Sequence, residues 1–301
     1  YALNFDQDLS NWDVGNVGNM YGMFAVTPFT NGGSPNISGW TTSSCTDMTF
    51  MFYQNDVFNQ PIGSWDVGNV TSMRQMFYGS GVGQGLFDQP IGSWDVGNVE
   101  NMSGMFGYSN FNQDISGWNV SGVTDMNSIF FTDAFFDQDL SNWDVGNVEN
   151  MTQMFYNNTN FNNGGSPSMS GWTTSTCTTM VNMFYGSSFN QPIGSWDVGN
   201  VENMQSMITL TPFNQDISDW NVSGVTDMNG MLNNTSMNVT NYNSILTGWT
   251  GWNGSTATKT LQSNVSFGCS TCNYSSGSTA EQARNYLITG LTWTITDAGG
   301  I

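Results

Sequence analysis

The sequence predicts a repeat solenoid, a stack of about nine coils of 24–29 residues followed by a C-terminal cap. Two observations predict it: one phrase recurs, and tryptophan recurs at a nearly constant spacing. "FNQPIGSWDVGNV" occurs at 58–70, returns unchanged at 189–201, and returns with one change at 87–99. A phrase with such a period is typical of a unit that buries its apolar face only against copies of itself.

The tryptophans define the repeat. Nine of the 12 hold one place in it, and we predict that they form the repeat core: Trp12, Trp40, Trp65, Trp94, Trp118, Trp143, Trp172, Trp196 and Trp220. Two methionines three residues apart follow in nearly every unit, as Met73 and Met76 follow Trp65. An exposed row of nine tryptophans for binding sugars would be a very large apolar patch. We therefore expect burial of the tryptophans, and a hydrophobic methionine column rather than copper(I) sites.

Each unit contains two segments with different periods. Trp65–Val67 alternates apolar and polar residues, which predicts a short strand. Val70, Met73 and Met76 are three apart, which predicts a short helical or 3₁₀ turn. Stacking would then give a ladder of parallel strands on one side. The Asn and Gln of "FNQ" should form hydrogen-bonded side-chain ladders along the stack.

We predict that the chain divides into a repeat solenoid over 1–232 and a C-terminal capping region over 233–301, where the repeat pattern ends. In the capping region, Ser278 followed by Glu281 is a capping box and Gly290 is a stop signal. We therefore predict one helix over 279–289. "LTWTIT" at 291–296 predicts a last strand.

"FNQDISGWNVSGVTDMNSIF" at 111–130 resembles the BspA-like repeat of bacterial surface proteins, a relative of leucine-rich repeats. The apolar spacing of 62–70 is similar to the strand segment of leucine-rich repeats. Cys45 and Cys177 stand where those repeats often carry Asn or Cys, although Trp and Met replace most leucines. The resemblance covers about 1–232. It implies a secreted or surface-anchored protein associated with adhesion, from a bacterium, a protist or a virus.

The composition excludes several classes of function. Three Lys and Arg stand against 23 Asp and Glu, there is no histidine, and the net charge is −20. This charge disfavours nucleic acid and anionic membranes as partners, and no apolar run approaches the ~20 residues of a membrane span. Without histidine there is no Ser-His or Cys-His pair. Carboxylate pairs recur in several coils, whereas a catalytic pair should stand out from the repeat, so we expect no enzyme.

Residue spacing bears on three kinds of site: a disulfide, a metal site and glycosylation sites. Cys269 and Cys272 form a C-x-x-C that lacks further zinc ligands, and we predict a local disulfide, which suits an oxidising compartment. No metal or cofactor site is expected, although "DQD" at 6–8 and 137–139 leaves calcium open beside a capping role for Asp. Asn-x-Ser/Thr recurs, and the glycosylation candidates are Asn36, Asn69, Asn101, Asn119, Asn150, Asn221, Asn253 and Asn264.

Two functions are compatible with these observations. The first is an extracellular adhesion or recognition module on a cell or particle surface, which presents a solenoid face to a glycan or protein. Variable loops near 30–36, 79–86 and 162–168 would then supply specificity. The alternative is a structural subunit of a surface fibre, filament or layer that assembles with copies of itself. The predicted helix bears on the alternative, because a helix covering the last coil would block end-to-end stacking.

Overall fold

The computed structural model describes residues 2–33, 36–166 and 168–301. Its regular elements are few, and most lie in the C-terminal region. They are a 3₁₀ turn at Asn163–Gly165, β1 (Asp227–Met228), α1 (Val239–Thr250), β2 (Ser266–Tyr274), α2 (Thr279–Leu291) and β3 (Thr294–Gly300). The three strands form one parallel sheet in the order β1-β2-β3.

Consecutive repeats lie side by side in parallel register. One residue of each unit pairs with its counterpart in the next, in the order Asn19, Asp47, Ser72, Asn101, Asp125, Asn150, Thr179, Asn203 and Asp227. Asp227 belongs to β1, so the same row of pairings continues through β2 into β3. The chain is therefore a repeat protein, and the row of pairings does not stop at residue 232.

The backbone hydrogen bonds between units are made by the Met-x-x-Met-Phe segment. The N–H groups of Met73 and Gln75 donate to the carbonyls of Asn101 and Ser103 in the next unit, at 3.0 and 2.8 Å. The N–H of Met76 lies between the donors Gln75 and Phe77 along the chain and bonds back to the Met73 carbonyl at 3.2 Å. Gln75 has φ of 50°, so this limb is a series of turns with left-handed residues. The predicted helical or 3₁₀ turn is present only as single three-residue turns and not as a helix, because alternate amides are used between units.

The Trp-x-Val limb, where we predicted the strands, has no strand at 65–67. Side-chain groups connect this limb instead. The indole Nε1–H of Trp65 donates to the carbonyl of Ile37 in the preceding unit at 3.0 Å. The carboxylate of Asp66 accepts the N–H of Gly68 at 3.1 Å. The backbone is thus satisfied locally, and the indole spans the gap between units.

Polar side chains form a third connection, as predicted for "FNQ". The Oδ1 of Asn162 accepts the N–H of Asn190 at 3.0 Å, and the Oδ1 of Asn190 accepts the N–H of Asn214 at 2.9 Å. The Nε2 of Gln215 donates to the Asn190 carbonyl at 3.1 Å. Each unit thereby presents acceptors that only the next unit satisfies.

The core consists of columns of like residues inside the stack. Two phenylalanines of most units lie face to face, as Phe130 does with Phe136 at 3.8 Å and Phe155 with Phe161 at 3.7 Å. All four are buried, as are the methionines and valines of the same units. Burial of one such side chain contributes about 1.5–3 kcal/mol. A unit obtains this contribution only when neighbours cover it on both sides.

The structure buries eight of the nine tryptophans predicted to form the core. The prediction is wrong for Trp12, which is 53 % exposed because the described chain contains no preceding unit to cover it. A tenth tryptophan takes the same role in α1. Trp249 lies 29 residues after Trp220, is buried, and donates its Nε1–H to the Ile217 carbonyl at 2.9 Å.

The C-terminal region has two helices rather than the single one predicted. α1 begins after Asn238, whose side chain accepts the N–H of Asn241. α2 begins after Ser278, as predicted, and the Ser278 hydroxyl accepts amides of the first turn. Gly290 does not end α2, because the helix continues to Leu291 and Thr292 takes the left-handed conformation with φ of 56°. β3 begins at Thr294, three residues after the predicted start.

An ion pair fixes α1, α2 and β3 to one another. Arg284 of α2 donates to both carboxylate oxygens of Asp297 in β3, at 2.7 and 2.9 Å. The hydroxyl of Tyr242 in α1 donates to the same carboxylate at 2.8 Å. α2 packs beside α1, the helix whose Trp249 continues the row of buried tryptophans.

Candidate functional site

A continuous row of partly exposed aromatic rings crosses the repeats along the Met-x-x-Met-Phe limb. Most of these residues directly follow the buried Phe of their unit, as Tyr78 follows Phe77, so their side chains lie outside the core. Adjacent rings are 4.9–5.7 Å apart between centroids. We call this row the aromatic stripe: Tyr21, Phe50, Tyr53, Tyr78, Tyr108, Phe131, Tyr156 and Tyr185.

The rings of the aromatic stripe have two arrangements. From Phe131 to Tyr185 they are nearly parallel, with interplanar angles of 13° and 10°. Phe50 stands crosswise, at 88° and 77° to its two neighbours. Tyr108 also stands crosswise, at 86° and 88° to its neighbours. Parallel rings cover each other's faces, whereas a crosswise ring is not covered face to face by its neighbours in the row.

A hollow opens in the stripe between the first two units. Three aromatic residues, two small residues and one glutamine line it. Ala25 stands where the next units carry Tyr after the core Phe, which leaves this space open. The residues of the hollow are Tyr21, Gly22, Ala25, Phe50, Tyr53 and Gln75.

Phe50 holds its place in the hollow with a strained backbone. Its φ is 57°, in the left-handed region, which costs an L-residue about 1–2 kcal/mol. The equivalent residue of every other unit is also left-handed, but it is small or polar: Gly22, Gln75, Gly104, Ser128, Gln153, Asn182, Ser206 and Gly230. Strained positions cluster at functional sites. The fold does not require an aromatic residue here, so the needs of folding do not explain Phe50.

The stripe limb is almost uncharged in a chain of net charge −20. All but one of the 23 acidic residues lie outside the limb, and the exception, Asp133, is buried. Its single cation is Arg74, which is exposed and has its guanidinium carbon 5.3 Å from the ring centroid of Phe50. The stripe limb is the set of Met-x-x-Met-Phe segments of the repeats, at 20–27, 48–55, 73–80, 102–109, 126–133, 151–158, 180–187, 204–211 and 228–235.

The hydroxyls of Tyr78 and Tyr156 in the stripe remain protonated at ordinary pH. Burial, and then the neighbouring Tyr108 and Tyr53, raise the pKa of Tyr78 to about 12. Burial and the neighbouring Tyr185 also raise the pKa of Tyr156. The stripe therefore offers apolar rings together with neutral hydroxyls that donate and accept hydrogen bonds.

The aspartates considered as calcium ligands are used to cap backbone amides. Asp6 accepts the N–H groups of Thr30 and Gly32, both at 2.7 Å, and Asp137 accepts that of Gly164 at 2.7 Å. Although burial acts in the opposite sense, these hydrogen bonds lower the pKa of Asp6. Within the described ranges, no three His, Cys, Asp or Glu side chains come together as ligands of a metal ion.

All four cysteines are buried, and two of them form a disulfide. Cys269 and Cys272 are joined by a disulfide within β2. Cys45 and Cys177 are free, and each donates its S–H to a carbonyl two residues further on. Burial raises the pKa of both, that of Cys177 to about 11, so these thiols are unreactive.

The glycosylation candidates differ in exposure. Six are exposed: Asn36, Asn69, Asn119, Asn221, Asn253 and Asn264. Asn101 and Asn150 are half-buried members of the row of pairings between units, and a glycan on them would crowd the stack. The predicted loops near 30–36 and 162–168 include residues 34–35 and 167, which lie outside the described residues.

The possibility of an exposed aromatic row arose from the sequence only for the tryptophans, so the tyrosines of the stripe were not predicted. The signal was the phrase "MFY", which occurs at 51–53, 76–78, 154–156 and 183–185. In each copy the Phe is buried and the Tyr is half-exposed. A second aromatic residue after a core residue of the same limb indicates an outer row.

Three overlapping stretches, 2–106, 82–167 and 165–268, match the model of one protein family, described as "Mycoplasma protein of unknown function, DUF285". No curated protein and no solved structure matches the chain. The successive matches agree with the internal repetition. Across the described part of the chain, no helix is both long enough and apolar enough to cross a membrane.

Proposed function

The chain belongs to the DUF285 family of repeat proteins, and we propose that it is an extracellular recognition module whose aromatic stripe binds a glycan or protein ligand. The uncharged aromatic stripe is the observation that carries this proposal. Exposed apolar surface rimmed by polar residues is typical of an interaction site. Tyrosine supplies a large, rigid contact area with few rotatable bonds.

The proposal includes the shape of the molecule. The repeats are nine coils of one solenoid, and α1 and α2 complete its C-terminal end. The row of pairings from Asn19 to β3 supports this shape. A stack of this kind holds the rings at fixed spacing before a ligand arrives, which reduces the entropy lost on binding. The resemblance to BspA-like repeats and the Cys269–Cys272 disulfide support an extracellular location.

A binding comparison tests the proposal. The purified chain and a stripe variant would be applied to arrays of glycans and cell-surface proteins. The variant replaces Tyr78, Tyr156 and Tyr185 by Thr, the residue that Thr209 supplies at this place in a later unit. We expect the variant to lose the binding that wild type shows. Val57→Ser is the control, because Val57 is 41 % exposed and lies outside both the stripe and the variable loops.

Equal binding by wild type and the stripe variant would overturn the proposal. Far-ultraviolet circular dichroism of the variant should match that of wild type, because the substituted rings lie outside the core. This check separates loss of a contact from loss of folding.

Assembly through the solenoid ends is the second candidate. Within the described chain β3 pairs with β2 alone and is the last strand of the sheet. Ile301 beside it is 71 % exposed, and Trp12 is exposed at the opposite end. An open strand edge is a template for pairing with another chain. Light scattering with negative-stain imaging tests this: discrete particles near 33.0 kDa exclude self-assembly, and ordered polymers support it.

A further inference from the structure

We propose that the ligand of the aromatic stripe is a linear, uncharged polysaccharide that lies along the stack, with one sugar unit seated in the hollow. This inference rests on the proposed function, because it assigns a ligand class to the same surface. Three features of the described residues carry it: the spacing of the rings, the shape of the hollow and the distribution of charge.

The spacing of the rings suits an extended sugar chain. Adjacent rings are 4.9–5.7 Å apart, close to the ~4.8 Å separation of stacked strands. A pyranose unit in an extended polysaccharide advances by a comparable distance. A chain parallel to the stack therefore keeps successive sugar units beside successive repeats. A sugar chain is also as narrow as the stripe, whereas a typical protein partner covers ~800 Å² on each side.

The hollow has the chemistry that a pyranose needs. The faces of a pyranose carry C–H groups that pack on aromatic rings, and its edges carry hydroxyls that require hydrogen-bond partners. Phe50 and Tyr108 stand crosswise in the row, and no other ring of the row covers either of them face to face, although the Arg74 guanidinium lies over the Phe50 ring. Gly22 and Ala25 leave room for a sugar unit beside Phe50, and Gln75 is the polar residue among those that line the hollow.

The strain at Phe50 points the same way. Ser128 and Ser206 show that serine adopts the same left-handed backbone at the equivalent place of later units. Serine or glycine would relieve the crowding of a bulky side chain in this conformation. The retained Phe50 therefore favours a role in contact over a role in folding.

The charge distribution selects an uncharged ligand. A polyanion approaching a chain of net charge −20 is repelled, and the stripe limb offers it only Arg74. A cationic partner would be drawn to the acidic limbs rather than to the one limb without exposed carboxylates. A neutral sugar chain meets neither effect. Its affinity should therefore change little with ionic strength, unlike that of a charged ligand.

Calorimetry with defined oligosaccharides tests the inference. The neutral panel consists of β-1,4-glucan, β-1,3-glucan, β-1,4-mannan and chitin oligosaccharides, from disaccharides to octasaccharides. Oligogalacturonates of the same lengths are the acidic probe. We expect at least one neutral series to bind, with affinity that rises with chain length and is insensitive to added salt. No binding by the whole neutral panel, or tighter binding of the oligogalacturonates, would overturn the inference.

Matched variants locate the site. Phe50→Ser should weaken binding of the neutral series by about tenfold, the loss of one aromatic contact of ~1.4 kcal/mol, without lowering thermal stability. Val57→Ser should leave the affinity within about twofold, because Val57 is 41 % exposed and lies outside both the stripe limb and the variable loops. Unchanged affinity of Phe50→Ser, or an equal loss in Val57→Ser, would contradict a ligand seated in the hollow.

The two proposals fail in different ways. If the stripe variant with Thr at 78, 156 and 185 loses a protein ligand while no neutral oligosaccharide binds wild type, the ligand class is wrong and the recognition function stands. If the stripe variant and Phe50→Ser retain every interaction of wild type, both proposals are wrong.

Discussion

Replacing Trp143 by Phe should destabilise the chain much more than the same change at Trp12. Trp143 is 2 % exposed, and its Nε1–H donates to the Ile115 carbonyl of the preceding unit at 3.1 Å. Phe removes this donor and leaves a buried carbonyl without it, which costs about 1–3 kcal/mol. Phe also removes two ring carbons from a close-packed core, at ~0.8 kcal/mol each. We expect a total loss of about 2.5–4.5 kcal/mol.

Trp12 supplies the control for this prediction. It is half-exposed, and its indole makes no hydrogen bond within the described residues. Trp12→Phe should therefore change the free energy of unfolding by less than ~0.5 kcal/mol. Urea unfolding would be followed by far-ultraviolet circular dichroism, because both variants alter tryptophan fluorescence. If the free energies of unfolding of the two variants differ by less than about 1 kcal/mol, the indole hydrogen bond between units does not stabilise the repeats.

Three further predictions concern charged and ionisable groups. Burial raises the pKa of Asp133 well above 3.8, so the folded chain loses stability as the pH rises through this raised pKa and the buried carboxyl becomes charged. Asp133→Asn carries no such charge and should therefore stabilise the chain increasingly from acid to neutral pH. A difference in unfolding free energy that does not change with pH would contradict this. Arg284→Ala should cost about 3–5 kcal/mol, because Asp297 is 1 % exposed and loses its ion pair. The exposed Arg74→Ala is the matched control in the same denaturation assay, and equal losses would be evidence against the buried pair. Ultraviolet titration of Tyr78→Phe should lack one transition near pH 12, and loss of a transition near pH 10 instead would refute the assigned pKa.

The sequence identified which side chains are buried more reliably than which backbone segments pair. Trp65 and Met73 are buried as their spacing indicated. Their limbs were nevertheless assigned the wrong backbone, because periodicity reports which side chains face inward and not where the amides donate. In stacked repeats the amides are satisfied by the next unit, at Met73 and Gln75, and no residue type in this limb signals that pairing.

The C-terminal helices show which signals are strong enough in a single sequence. α2 was found because Ser278 and Glu281 supply a capping pattern, but its end was misplaced because glycine only favours a helix end. α1 was missed although its buried residues fall at helical spacing: Tyr242, Ile245, Leu246 and Trp249. The last of these also continues the tryptophan register, so two signals coincided on one segment.

The stripe was visible in the sequence as aromatic pairs, but its continuity was not. Gly107 takes the place where other units carry Tyr or Phe, which would break the row if position alone decided it. The ring of Tyr78 instead lies over Gly107, where a Cβ atom would come within 2.4 Å of it. Tyr108, one residue later, restores the row at 5.4 Å from Tyr78. Such a compensation depends on side-chain packing between units, which one sequence does not reveal.

The stripe and the stack share a backbone, and this separates binding from stability. The carbonyl of Tyr156 accepts the N–H of Thr132 at 2.7 Å, and the carbonyl of Tyr185 accepts that of Asn157 at 2.7 Å. The hydrogen bonds between units therefore set the ring spacing, whereas the rings contribute little to the core. Substituting a ring therefore removes a surface contact and leaves the hydrogen bonds between units in place. A repeat array can thus diversify its ligand face while its buried columns keep every unit in register.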